Sequence, residues 1–379
     1  MHIKFLKSSI KMNRILLVII TIIIFIIVSL LIFFRMHKHK NLMYSIDDSN
    51  IQIDYSYENE TVNDISEDNA KNEDDTTTKK YIKWVNFKGS TELMNTLAKM
   101  DITSHNNDEK IKYNWIELLA YFGCKYGGDL TKYKVSDLTK LKDKMESGIS
   151  IQDITKDMKL YSYFYESYDA IFHDFIGNYE IEIESNGAKT YVKKYDIKVF
   201  SPIARGYNFS HYRDFGSSRS YGYKRVHLGN DLLGNIGTPI IAVESGYVEA
   251  LGWNQYGGWR VGIRSFDKKR YYYYAHLRKD HPYAKNLQEG DIVNAGDVIG
   301  YLGMTGYSPK ENVNNINIPH LHFGLQLIFD EKQKDGVNQI WIDVYDIIDF
   351  LNKNKSAVYK AYNDTNDYER KYNIMNINE

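Results

Sequence analysis

Near residue 179 the hydrophobic period of this chain shortens, and that change limits the folds open to it more than any other feature. Between residues 80 and 178, "STELMNTLAKM", "NWIELLAYFGCKYGG", "KVSDLTKLKDKMESG" and "YSYFYESYDAIFHDFIG" repeat apolar residues about every third or fourth position, the spacing of one helix face. Ser90 stands where a helix needs an N-cap, and Gly127-Gly128 where one must stop. From 179 onward short alternating runs are separated by glycine-containing turns, beginning with "EIEIESNGAKTYVKKYDIKVF", a hairpin turning at Asn186-Gly187. The chain therefore reads as a multidomain α+β protein. A small helical domain of four or five helices (80–178) precedes an all-β antiparallel unit (179–343), and residues 344–379 supply a C-terminal helix, "DVYDIIDFLNKN", and a polar tail expected to fray.

The first 79 residues are of another kind. After a short segment, 1–14, the block "ILLVIITIIIFIIVSLLIFF" (15–34) is apolar except for Thr21 and Ser29, long enough for a transmembrane helix. Arg35, His37, Lys38 and Lys40 follow it in place of the small residues of a signal-peptide cleavage site, so it is expected to stay as a single-pass anchor. Basic residues flank both ends, and charge bias alone does not orient it. Residues 35–79 carry eleven acidic residues between Asp47 and Asp75 and little apolar periodicity, the composition of a disordered, self-repelling linker.

A net charge of -1 argues against a nucleic-acid partner, and the single cysteine, Cys124, rules out an internal disulfide and a cysteine-only metal cluster. Cys124 falls on an apolar helical pattern and is expected to be a core thiol. A zinc site here must use histidine and carboxylate, and a catalytic one needs about three protein ligands with a position left open. Three segments have suitable residues: "HLGND" with His227 and Asp231 four apart, "YYYYAHL" ending near His276, and "PHLHF" with His320 and His322. Side chains two apart on a strand face the same way, so spacing alone leaves open whether His320 and His322 are both ligands.

In order along the chain, "HLGND", "GTPIIAVESGYVEALGW", "YGGWRVGIRS", "YYYYAHL", "LQEGDIVNAGDVIGYLGMTGYS" and "PHLHFGLQ" closely resemble the lysostaphin-like zinc metallopeptidases, bacterial endopeptidases that cut peptide bonds in peptidoglycan. The likeness covers about residues 200–330. It implies one zinc ion held by His227, Asp231 and His322, with His276 and His320 kept off the metal as catalytic residues. Neutral imidazoles beside a metal can take a proton from the attacking water and return one to the leaving amine. The sequence departs from the family in "PKENVNNINI", in the extension "RKDHPYAKNLQEGD", and at Gly324, where the family often has Glu; these bear on substrate choice.

Two faces of the "YYYY" strand can be told apart. Tyr272 and Tyr274 share a face with His276 and are expected to line the substrate groove, with Tyr271 and Tyr273 opposite. His211, His281, Trp253 and Trp259 are rim candidates by proximity in sequence only. The function implied is a membrane-anchored zinc metalloendopeptidase acting on peptidoglycan peptides, its catalytic domain on the outer side of the cell membrane. The helical domain shows no chemistry of its own and is left to position the enzyme or bind a protein partner. The alternative is a non-catalytic relative acting as a wall-binding or scaffold protein in envelope or sporulation-type assembly. Such relatives lose metal or catalytic positions, and none of the five is missing here.

Overall fold

The computed structural model describes residues 82–376, apart from 186, 222 and 362–366. The apolar block 15–34 and the acidic segment 35–79 lie outside these residues. No helix among the described residues is long and apolar enough to cross a membrane.

Five helices carry the first half: α1 (Thr91–Asn106), α2 (Trp115–Tyr126), α3 (Val135–Glu146), α4 (Ile151–Thr155) and α5 (Tyr161–Phe172); α6 (Tyr345–Leu351) comes late in the chain. The expected boundary signals act as such. The Ser90 hydroxyl accepts from the Leu93 amide at the start of α1, and Gly127 closes α2 with φ +62°, a left-handed conformation that glycine adopts without penalty. Cys124 is half-buried and packs against the core rather than within it.

Eleven strands matter here. They are β1 (Ile82–Val85), β2 (Ile176–Ser185), β3 (Ala188–Ile197), β4 (Asn230–Leu233), β5 (Gly246–Asn254), β6 (Gly258–Ser265), β7 (Arg270–Ala275), β8 (Ile292–Val293), β9 (His320–Leu327), β10 (Gln339–Ile342) and β11 (Ile374–Asn376). The main sheet runs β1-β10-β9-β7-β6-β5-β8. It is antiparallel except for β1, which lies parallel to β10. β4 and β10 share one edge of β9, β4 along His320–Phe323 and β10 along Leu325–Leu327. The predicted hairpin forms as β2 and β3, connected through residues 186–187.

Two expectations about organisation change. The core does not stop at residue 178: Trp115 of α2 stacks on Phe350 of α6 at 5.6 Å, and one apolar cluster runs from the helices to Phe323 and Leu325 of β9. β1, read as part of the helical segment, is a strand of the sheet. Nor does the described part of the tail fray. β11 pairs with β2 and buries Ile374, while Arg370 donates to the Asp297 carboxylate at 2.9 Å. A few apolar and charged anchors fix a segment whose composition reads as polar.

Alternation along β9 sends Leu321, Phe323, Leu325 and Leu327 into the core and leaves His320, His322, Gly324 and Gln326 on the other face. In β7 the core face takes Tyr272 and Tyr274, both fully buried. Each hydroxyl finds a partner there: Tyr272 donates to Glu244 at 2.6 Å, and Tyr274 accepts from the Val243 amide at 2.9 Å. Arg270, also buried, makes two 2.8 Å hydrogen bonds to the same Glu244 carboxylate. Glu244→Ala would leave that guanidinium with Asp267, 3.2 Å away, as its one remaining carboxylate and would leave the buried Tyr272 hydroxyl without its acceptor, and a stability loss of about 3 kcal/mol is expected in urea unfolding. A loss under about 1 kcal/mol would show that Asp267 or water replaces the Glu244 carboxylate at Arg270.

Candidate metal centre and groove

Strand register brings the predicted ligands together. In the β4/β9 ladder His322 stands directly opposite Asp231, and side chains directly opposite on one face touch. His322 Nδ1 lies 2.9 Å from Asp231 Oδ1. His227, four residues before Asp231, puts its Nε2 3.0 Å from that oxygen and 3.0 Å from His322 Nδ1. The other nitrogen of His227, Nδ1, lies 3.3 Å from the Asp214 carbonyl oxygen, to which it can donate, leaving Nε2 for the cluster.

Three potential donor atoms thus crowd into one small triangle at the groove. Around a tetrahedrally held zinc, ligand atoms about 2.0–2.2 Å from the ion stand about 3.3 Å from one another, close to this spacing. Without a cation or protons between them, these lone pairs would repel. The donor set, two imidazole nitrogens and a carboxylate with no sulfur, fits zinc in an open site.

The electrostatics agree. Burial pushes the Asp231 carboxyl up, but hydrogen bonds from His227 and His322 outweigh it and hold the group far below the usual carboxylate range. Burial pushes His227 down, yet Asp214 and Asp231 raise it to about 9. For His322 burial prevails over Asp231, and its value is lowered. Metal binding must therefore expel a proton from His227. In the metal-free protein the raised pKa gives stability that is fully present below the ordinary 6.5 and is lost as pH rises through about 9. Zinc affinity should accordingly rise by up to about tenfold per pH unit below 9, with about one proton released per ion. Calorimetry in buffers of different ionisation enthalpy reads that proton, and zinc uptake with no proton released would contradict the His227 assignment.

His276 reaches the same groove by a backbone device. It follows β7 with φ +62°, in the left-handed region that a non-glycine residue seldom occupies. Strict alternation would send its ring into the core with Tyr272 and Tyr274; the turn instead brings it into the groove with Tyr271 and Tyr273. The expectation that Tyr272 and Tyr274 line the groove is thereby corrected: they share the buried face, and the groove takes the other pair. Its ring centroid is 4.8 Å from that of His320 and 5.9 Å from that of His322. His276 Nδ1 donates to the Thr305 carbonyl at 2.9 Å, and His320 Nδ1 to that of Ile318 at 2.8 Å. Both tautomers then leave Nε2 bare. Burial, with His320 and His322 beside it, holds His276 well below its ordinary value, so it is neutral. His320 Nε2 is 3.7 Å from Asp231 Oδ1, farther than either nitrogen of the triangle.

The groove is a cavity of about 870 Å³ that runs from the metal triangle across β9, β7 and β6. Gly324, buried on the same face of β9 as His320 and His322, lies beneath Trp341: an added Cβ would meet that ring at 2.8 Å, so the indole, which lines the groove, occupies the space a larger side chain would need. Several groove residues escaped sequence reasoning. Arg219 pairs with Asp214 and stands 3.8 Å from Asp231, and the Tyr307 ring lies 5.8 Å from that of His276. Asp214 lies thirteen residues before His227 in no recognisable motif, and only the fold shows its role. His211, His281, Trp253 and Trp259 do not line the groove; His211 instead bonds Asn230 at 2.6 Å and stacks on Tyr345.

Residues 225–337 match peptidase family M23. The chain carries a lysostaphin-like M23 peptidase domain. The chain is similar to the L-Ala--D-Glu endopeptidase of Bacillus subtilis (strain 168), 38% identical over 124 residues, which are 33% of this chain and 36% of that protein. Lysostaphin of Staphylococcus simulans is 40% identical over 99 residues, 26% of this chain and 17% of its own length. The chain thus spans about a third of the first relative and less of the second. Among solved structures, the catalytic domain of the antimicrobial peptidase lysostaphin from Staphylococcus simulans aligns at 30% identity over 38% of this chain and 93% of that domain, with a TM-score of 0.29. The M23 match encloses all five predicted metal and catalytic residues.

Proposed function

We propose that the protein is a membrane-anchored zinc metalloendopeptidase that hydrolyses peptide bonds of peptidoglycan, with residues beyond 34 on the outer, wall side of the cell membrane. The observation that carries this reading is the convergence of His227, Asp231 and His322 beside two further histidines with bare Nε2 atoms, in an open groove within an M23 domain. Its relatives bear the names of peptidoglycan-cutting enzymes, an L-Ala--D-Glu endopeptidase and lysostaphin. The apolar block 15–34 supports the anchor, and the acidic segment behind it supports reach into the wall.

His227, Asp231 and His322 would hold the ion. Zinc bound there supplies Lewis acidity for the scissile carbonyl and lowers the pKa of water near neutrality. His276, neutral and oriented by Thr305, can accept a proton at Nε2. His320, oriented by Ile318, can do the same, and whichever imidazole becomes protonated can pass that proton to the leaving amine. The Tyr307 ring lies 5.8 Å from that of His276, and the Tyr273 ring 6.0 Å from that of His322. Asp214 fixes the His227 ring and is a positioning residue.

The test is release of new amino termini from purified peptidoglycan by the full-length chain in detergent micelles, read by mass spectrometry across several cross-link chemistries. New termini matched to one bond type are expected. No release from any wall type above a blank would overturn the hydrolase reading and favour a wall-binding role.

A further inference from the structure

Three of the four arginines lining the groove are engaged: Arg219 and Arg264 pair with carboxylates, and Arg225 donates to the Tyr307 hydroxyl and lies over its ring. Arg264 donates to Glu249 at 3.0 Å and to the Lys268 carbonyl at 2.7 Å; Arg219 pairs with Asp214; Arg270, behind the sheet, holds Glu244. Arg260 lines the groove half-buried, its Nε is fully buried without a hydrogen-bond partner, and no carboxylate pairs with it among the described residues. A partly desolvated cation without a counter-ion costs stability, and that cost is recovered when a ligand brings an anion.

Its position is defined by the sheet. The β6/β7 ladder pairs Tyr274 with Val261, so one step further Arg260 stands beside Ala275. Ala275 pairs with His322, and His322 with Asp231. Arg260 therefore lies in the same cross-strand row as the metal ligands, two strands away, with its Cα about 10 Å from that of His322. The methyl group of Ala275 leaves the space between them open. An extended peptide advances about 3.3 Å per residue, so that distance is about three residues of substrate. The groove also has a cationic bias: five Lys and Arg side chains line it against two carboxylates, Asp231 and Glu249.

We propose that Arg260 is a substrate-binding residue that takes a carboxylate of the peptide, carried about three residues from the scissile bond. The assignment rests on the peptidase reading above and adds a substrate class to it, an acidic peptide. A guanidinium grips a carboxylate through two parallel N–H donors, which fixes the register of the peptide as well as holding it.

The probe is one peptidoglycan preparation in two forms, native and with its carboxyl groups coupled to methylamine. The full-length wild-type chain is expected to prefer the native form on the order of tenfold in kcat/KM, mostly through KM. In Arg260→Gln that ratio should collapse toward one, whereas Arg260→Lys, which keeps the charge but not the fork, should retain part of it. For the wild type alone, raising salt should erode turnover of the native form more than of the blocked form, a readout that needs no variant. A wild type that cleaves both forms equally at low salt, or an Arg260→Gln variant that keeps the full preference, overturns the assignment and leaves the peptidase reading intact. A wild type that cleaves neither form overturns the peptidase reading itself.

Discussion

In the His322→Ala variant, zinc binding and turnover are expected to be lost together. Asp231 Oδ1 lies 2.9 Å from His322 Nδ1 and 3.0 Å from His227 Nε2, so removing one imidazole leaves a two-point site. Loss of an outer-shell partner of a zinc ligand costs about 10–100-fold in affinity, and loss of the ligand itself should cost more. The fold should survive, because the core face of β9 is Leu321, Phe323, Leu325 and Leu327, and His322 is on the other side. Elemental analysis after dialysis should find about one zinc per chain in the wild type and far less in the variant. Added zinc should raise the unfolding temperature of the wild type only. A variant that keeps stoichiometric zinc would take His322 out of the ligand set.

The His320→Ala variant is expected to behave in the opposite way: metal kept, turnover lost. His320 sits two residues from His322 on the same strand face, but its Nε2 is 3.7 Å from Asp231 and its Nδ1 is engaged by the Ile318 carbonyl. Loss of a general acid–base group costs about 10²–10⁴-fold in rate, and a change in kcat rather than KM marks a role confined to the transition state. His276→Ala should show the same pattern. If His320→Ala loses zinc as readily as His322→Ala, the two histidines are equivalent ligands and the proposed division between them is wrong.

These contrasts show what the sequence could carry. His227 and Asp231 at four residues apart, and His320 and His322 at two, are local patterns, and a family likeness orders them. Tyr272 and Tyr274 show where local pattern fails. Strict alternation puts them with His276, but the positive φ of His276 breaks the alternation at that residue, and no residue type nearby announces it. The helical segment read correctly as helices, capped at Ser90 and stopped at Gly127, yet its fusion with the sheet depends on contacts such as Trp115 with Phe350, 235 residues apart in sequence. Asp214 and Arg260 were invisible for the same reason. Their meaning comes from a loop that folds back on His227 and from a strand register that aligns Arg260 with the metal row, and neither leaves a short-range signature.

The most direct test of the central claim is a titration of zinc into the metal-free full-length chain, with amino-terminal release from peptidoglycan followed at each addition. Activity absent at the start, rising in proportion to zinc and levelling at one equivalent, is the expected result. Full activity in the metal-free chain, or tight uptake of zinc with no activity on any wall type, would contradict it.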